Sequence, residues 1–213
     1  MAGASGHAAA DARIGCRRPW LRFWLVLPVG ARGRREPRVG PRCVGEHAQA
    51  RARTTPDAAI VYEIADLEAL DLPAGAFDLA YSSLALHYIE NLGSSIAAVH
   101  RALKPGCRFV FSIEHPVYTA PRKPGWSTRT DGQKIWPVES YAVEGLRTTD
   151  WLTQGVRKYH RTFGTLMNLL TGAGFAIDRV EDFCPTDAQI AARSELGQER
   201  ERPIFLLVAA TRR

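Results

Sequence analysis

Two short clusters hold the side chains best suited to chemistry. Ser82, Ser83 and Leu84 are followed at once by His87 and Tyr88, and further along the chain Glu114, His115, Pro116, Val117 and Tyr118 stand together. Serine hydroxyls donate or accept hydrogen bonds, and small residues let a ligand approach the backbone closely. An imidazole near neutrality can orient or deprotonate an O–H or N–H group, which makes His115 and His87 the candidate catalytic residues. Tyr88 and Tyr118, with Trp126 and Trp136 downstream, are the candidate substrate contacts. Asp66, in Ala65-Asp66-Leu67, follows an apolar run and is a candidate binding carboxylate. The four cysteines are scattered, with no CxxC pair, which argues against a zinc site or a disulfide framework, and no metal is expected.

The elements that must position these groups follow from the apolar pattern. Residues 77–82 predict a strand buried on both faces. Ser94 and Ser95 can cap a helix carrying Ile96, Val99 and Leu103 on one face. Lys104 falls in its last turn, Pro105 ends it, Gly106 turns the chain, and 107–113 predict a second strand. A strand, helix and strand of these lengths make a parallel βαβ unit, whose ligand sites lie at the carboxyl ends of the strands. Ser82–Leu84 and Glu114–Pro116 are those ends. Upstream, 59–64 predict a strand with Asp66 at its end. Downstream, 163–173 predict a helix with Leu166, Leu169 and Leu170 buried. Strands are expected at 175–183 and 203–210, and a short helix at 188–192. The charges before Arg202 read as a solvated face. Residues 118–160 are too long for an ordinary connection. Their aromatics interleave with basic side chains, which suggests a lid walling a pocket or a structural cap.

The segments FDLAYSSLALHYI and VHRALKPGCRFVFSIEHP closely resemble the fourth strand, helix, Lys-Pro-Gly turn and fifth strand of class I S-adenosylmethionine-dependent methyltransferases of the type 11 domain family. The resemblance runs from Pro56 to the C-terminus. It implies a three-layer α/β, Rossmann-like sheet, mostly parallel, with an antiparallel last strand. It implies S-adenosyl-L-methionine as cofactor and a small-molecule acceptor. It places Ala65, Asp66 and Leu67 at the adenine, and Ser82, Ser83 and Leu84 beside the methionine part. Methyl transfer is an in-line displacement that positioning and water exclusion can serve, so a base is optional.

The first quarter departs from that pattern. Residues 1–53 carry 11 Arg and no Lys against Asp11, Glu36 and Glu46, a net +8, while the other 160 residues net −2. A basic arm could contact nucleic acid, but this one has no repeat and no recognition module, which argues against it. A noncatalytic remnant that binds partners through the arm is the alternative reading. WLRFWLVLPVGA is too short to span a bilayer and Arg22 interrupts it, so a cytoplasmic protein is expected.

The family's D-x-G-x-G-x-G loop is also missing from 1–55, as is the acidic residue that would end a second strand. Reading the codons of residues 17–32 one nucleotide later permits VDLGCGFGWFCRWAR. The same shift over residues 38–50 permits VLGLDVSENMLK. Residues 1–55 therefore read as an aberrant, out-of-frame segment, poorly folded and without the first two strands. Residues 56–213 read as the rest of the domain, with the lid at 118–160.

Overall fold

The computed structural model describes residues 65–213 except Leu152, together with three strand dipeptides, β1 (Leu25–Val26), β2 (Arg38–Val39) and β3 (Ile60–Val61). The expectation that 1–55 fold poorly and lack two strands otherwise lies outside the described residues. The principal sheet has the order β1-β4-β5-β11-β10, built from β4 (Phe77–Ser83), β5 (Leu103–Glu114), β10 (Phe175–Asp182) and β11 (Phe205–Arg212). β4 and β5 are parallel, whereas β11 runs antiparallel to both β5 and β10. The mixed α/β sheet and its antiparallel last strand are as expected. β1 lies antiparallel on β4, and β2 pairs parallel with β3 inside the predicted 59–64 segment.

The β4–β5 crossover runs through α1 (Leu92–Ala102), which starts two residues before Ser94. Ser95 is not a cap: it is buried, and its hydroxyl donates to the Leu67 carbonyl at 2.8 Å. Capping passes instead to Glu68, whose carboxylate accepts from the Glu90 and Asn91 N–H groups at 2.5 and 3.0 Å. A carboxylate is favoured there because the first amides of a helix lack partners and carry positive partial charge. The turn carrying Asp66 and Leu67 is thereby tied to the start of α1. At the other end the helix stops at Ala102 and β5 already begins at Leu103, so Lys104 to Gly106 lie in the strand, with Lys104 on Asp78 at 2.8 Å. Gly106 sits at φ +77°, and the β4–β5 register shifts between Phe77 and Leu79.

One core joins α1, α3 (Phe163–Gly172) and the sheet. Leu67, Leu103, Leu170 and Leu206 are fully buried, and Phe109 packs on Phe111 and Phe175 at ring separations of 4.9 and 5.8 Å. Each such side chain contributes about 1.5–3 kcal/mol of burial. β4 is less enclosed than expected: Phe77, Ala80 and Ser82 are buried, but Tyr81 on the alternate face is exposed. In α3, Leu166 and Leu170 are buried and Leu169 is partly so, and Thr162 caps the helix by accepting from the Thr165 N–H at 3.1 Å.

Residues 118–160 form two hairpins that follow the one-turn helix α2 (Pro116–Thr119). The first joins β6 (Ser127–Thr128) to β7 (Lys134–Ile135), and the second joins β8 (Gly145–Trp151) to β9 (Thr153–His160). Before β11 come α4 (Asp187–Ala192), with a capping box between Thr186 and Gln189, and a 3-10 helix (Ser194–Arg200).

Gly174 ends α3 at φ +97°, and a Cβ there would stand 2.8 Å from His100 Nε2. Gly174→Ala is therefore expected to lower the unfolding free energy by about 1–3 kcal/mol, read by urea titration. Gly172→Ala, in the helix with open space around it, should raise it by up to about 1 kcal/mol.

Candidate functional site

Adjacent parallel strands bring their carboxyl ends to one edge, and here Ser83 pairs with Ser112, two residues before Glu114. Ser82 is fully buried and its hydroxyl has no hydrogen-bond partner among the described residues. Leu84 takes φ +49°, a left-handed conformation costly for a branched side chain. Its N–H donates to Ser112, to the carbonyl at 2.9 Å and the hydroxyl at 3.2 Å, which holds the strained turn in place. On the neighbouring turn, the Asp66 carboxylate accepts from the Glu68 N–H at 3.0 Å, and Leu67 is buried beneath it. An orphaned hydroxyl and a strained turn at a strand end suit close contact with a bound group.

His87 lies on the 3-10 turn Leu86–Tyr88, buried, with Nδ1 accepting from the Glu114 N–H at 3.3 Å. Burial pushes its pKa down to about 4, against the pull of Glu114, whose carboxylate is 3.9 Å from Nε2. Tyr88 packs on His87 at 4.2 Å between ring centres. His115 is also buried and engaged at both nitrogens. Nδ1 accepts from the Val117 N–H at 3.0 Å, capping α2, so Nε2 carries the proton and donates to Asp182 at 2.9 Å. Burial lowers its pKa as well, with Asp182 opposing. Both imidazoles are thus neutral near pH 7 and already hold other groups.

Beside them opens a cavity of about 240 Å³ whose lining includes Glu114, Tyr118, Trp126, Trp136, Lys158 and Arg202. Three of the expected contacts, Tyr118, Trp126 and Trp136, meet here, and Tyr88 does not. Tyr118 and Trp136 stack at 5.5 Å with planes 8° apart, while Trp126 meets Trp136 edge-on at 5.6 Å. The Trp136 indole N–H donates to the Val117 carbonyl at 3.1 Å, pinning the first hairpin to α2. The Arg202 guanidinium lies 4.4, 4.7 and 5.3 Å from the Trp136, Tyr118 and Trp126 ring centres, within cation–π range. Burial raises the Tyr118 phenol above its ordinary value.

Two buried ion pairs complete the wall. Lys158 donates to the Glu114 carboxylate, and Arg202 donates to Glu199 at 2.9 Å, with all four side chains more than nine-tenths buried. The charges before Arg202 otherwise form the expected solvated face, with Asp187, Arg193, Glu195, Arg200 and Glu201 exposed; Glu199 is the exception. Glu199 lies in the 3-10 helix and Arg202 two residues beyond its end, and pairing lets both be buried. Burial still raises the Glu199 carboxyl. Lys158 was also missed: it shares the buried face of β9 with Val156 and His160, a face that the sequence does not mark because only Val156 of the three is apolar. Arg147 is taken up by the Ala120, Leu146 and Val143 carbonyls and anchors the second hairpin. Among the described residues, no cluster could hold a metal ion, and no helix is long and apolar enough to cross a membrane.

Residues 43–111 match the methyltransferase domain family, a stretch that begins before Pro56. The fold is similar to that of an S-adenosylmethionine-dependent methyltransferase from Mesorhizobium loti. The two are 57% identical, with a TM-score of 0.76 over 80% of this chain and 78% of the other. A Listeria monocytogenes structure assigned to the same class is 35% identical, with a TM-score of 0.71 and the same shares covered. An uncharacterized Haemophilus influenzae protein is 34% identical over 143 residues, which are 66% of this chain. The matched stretch spans just over half, 56%, of that relative's length.

The sign of the pH dependence follows from His87. Its folded pKa of about 4 lies below the ordinary 6.5, so the unfolded chain binds the proton first as pH falls. Its contribution is complete above about pH 6.5 and is lost on descending toward pH 4. Urea unfolding across that window should show falling stability, and His87→Gln should flatten the slope.

Proposed function

The chain belongs to the S-adenosylmethionine-dependent methyltransferases, and from that premise we propose that its acceptor is a small molecule held in the aromatic cavity at the end of β5. The observation that carries this reading is the convergence of Tyr118, Trp126 and Trp136 on one cavity, at the strand edge that also presents Ser82 to Leu84. Aromatic walls with a few fixed polar groups are the usual build of a small-ligand site. The hairpins of residues 118–160 act as its lid and exclude water from the reacting groups.

The cofactor supplies an electrophilic methyl group on a sulfonium. Ala65, Asp66 and Leu67 would hold its adenine end, and Ser82, Ser83 and Leu84 its methionine part. The unpartnered Ser82 hydroxyl fits that role, as does the approach permitted by the Leu84 turn. His87 and His115 act as positioning residues: one holds the Glu114 backbone and the other caps α2. Neither has a nitrogen to spare for an acceptor proton without breaking a hydrogen bond.

The Gly-rich loop that would approach the cofactor most closely has no counterpart in the sequence of residues 1–55. This chain therefore binds S-adenosylmethionine weakly, and the version with its first quarter read in the shifted frame binds it well. Calorimetry should give the present chain a dissociation constant above about 1 mM and the shifted-frame chain one at least tenfold lower. Sub-millimolar binding by the present chain would refute the impairment. The codons of the first 57 residues provide an independent check, since they either spell D-x-G-x-G-x-G one nucleotide along or forbid it.

In the shifted-frame chain, His115→Gln should leave kcat and its pH profile within a few-fold of the parent. It should also lower stability by about 1 kcal/mol through loss of the cap. A loss of several orders of magnitude in kcat would make His115 the base.

A further inference from the structure

The wall of the cavity is rich in charge yet balanced. Its lining holds the cations Arg147, Lys158 and Arg202 and the carboxylates of Glu114 and Asp150. Glu199, paired with Arg202 at 2.9 Å, brings three cations and three carboxylates to a net of zero. Each cation is also met locally. Lys158 donates to Glu114, Arg202 to Glu199, and Arg147 to the Ala120, Leu146 and Val143 carbonyls. Around Arg147, Glu139 and Arg122 act with opposite signs. Asp150 is exposed, so water screens it, and it accepts from the Gly155 N–H at 2.9 Å. Burial raises the Glu199 carboxyl, but the Arg202 guanidinium opposes that rise and the two hold as an ion pair.

Ions and neutral molecules fare differently against such a wall. An anion must shed its water, and it finds every cation already committed to a partner. A cation sheds its water too, and the position where the rings would attract it is taken. The Arg202 guanidinium lies 4.4, 4.7 and 5.3 Å from the Trp136, Tyr118 and Trp126 ring centres. Moving an unmatched ion out of water is costly whichever sign it carries. An uncharged ring escapes that cost. Tyr118, Trp126 and Trp136 are each only partly buried, so they keep surface to pack against it. The volume of about 240 Å³ lies below the range of drug-sized sites and suits a single substituted ring.

We propose that the cavity selects a single-ring aromatic molecule with no net charge over its anionic and cationic analogues, because the charges of the wall are matched within the protein. This rests on the reading of the cavity as the acceptor site, and it specifies the charge class of the acceptor.

The test is binding of three probes to the full chain without cofactor, followed by quenching of tryptophan fluorescence. Benzamide is neutral, benzoate anionic and benzamidinium cationic, and the three share one shape. Benzamide should bind about tenfold more tightly than either ion. Trp126→Leu should weaken benzamide by about threefold or more, which locates the binding in the cavity. Glu199→Gln leaves Arg202 unmatched, so benzoate should tighten until it equals or passes benzamide, while benzamidinium weakens further. Asp150→Asn, at an exposed position, should move the same ratio in the same direction by a smaller factor. If Glu199→Gln fails to fold by circular dichroism, the parent ranking and Asp150→Asn decide.

Equal or tighter binding of either ion by the parent chain overturns the proposal. So does the absence of benzamide binding up to about 10 mM, binding indifferent to Trp126→Leu, or a folded Glu199→Gln that keeps the parent ranking. Methyl transfer by the shifted-frame chain is read separately. Preference for the neutral probe in a chain that methylates nothing would undo the functional reading and leave the recognition intact. Turnover without that preference would do the reverse.

Discussion

A carboxylate buried at the end of a strand must find a cation, and Glu114 finds Lys158. Both are more than nine-tenths buried, so each would carry a desolvation cost of several kcal/mol if the other were removed. The pair joins β5 of the main sheet to β9 of the second hairpin, two elements 44 residues apart in the chain. It therefore sets how the inserted segment lies on the sheet. The Glu114 backbone N–H meets His87, so the turn after β4 is drawn into the same knot. His160, fully buried on the same face of β9, accepts from the Thr119 hydroxyl at 2.9 Å and donates to the Tyr141 carbonyl at 2.8 Å.

The neutral histidines follow from this arrangement. A protonated imidazole at His87 or His160 would add positive charge to a dry region already holding Lys158, Arg147 and Arg161, and these cations oppose protonation at one or both sites. Burial has the larger effect in each case. Their ring nitrogens serve as fixed hydrogen-bonding points for backbone and hydroxyl groups. The catalytic side of such a fold needs a held geometry more than a titrating base when the reaction is an in-line displacement.

The wall of the cavity and the segment missing the Gly-rich loop are far apart in sequence. Every side chain named in the cavity falls between residues 114 and 202, downstream of the Arg-rich start. Its ion pairs, ring stacks and hairpin anchors are all made within that span. The described wall of the cavity is therefore built without any residue of the Arg-rich first quarter.

The strand–helix–strand unit of β4, α1 and β5 was legible in the sequence. Apolar runs and an amphipathic stretch are local signals whose meaning depends little on distant contacts, whereas Lys104 to Gly106, expected to end the helix and turn the chain, lie in β5. The same locality made β10, β11 and α3 readable, and it placed Ser82 to Leu84 and Glu114 at strand ends. Capping by Glu68 was not readable, since it joins a turn to a helix some twenty residues on. Nor were the partners of the charged residues. Lys158, Glu199 and Arg202 have the composition of a surface, and only the folded chain brings each beside an opposite charge as it is buried. Long-range pairing decides whether a charge is solvated or sequestered. The sequence by itself determined the core strands of the sheet, the edge where β4 and β5 end, and the family; the tertiary structure decided which charges and rings share a cavity.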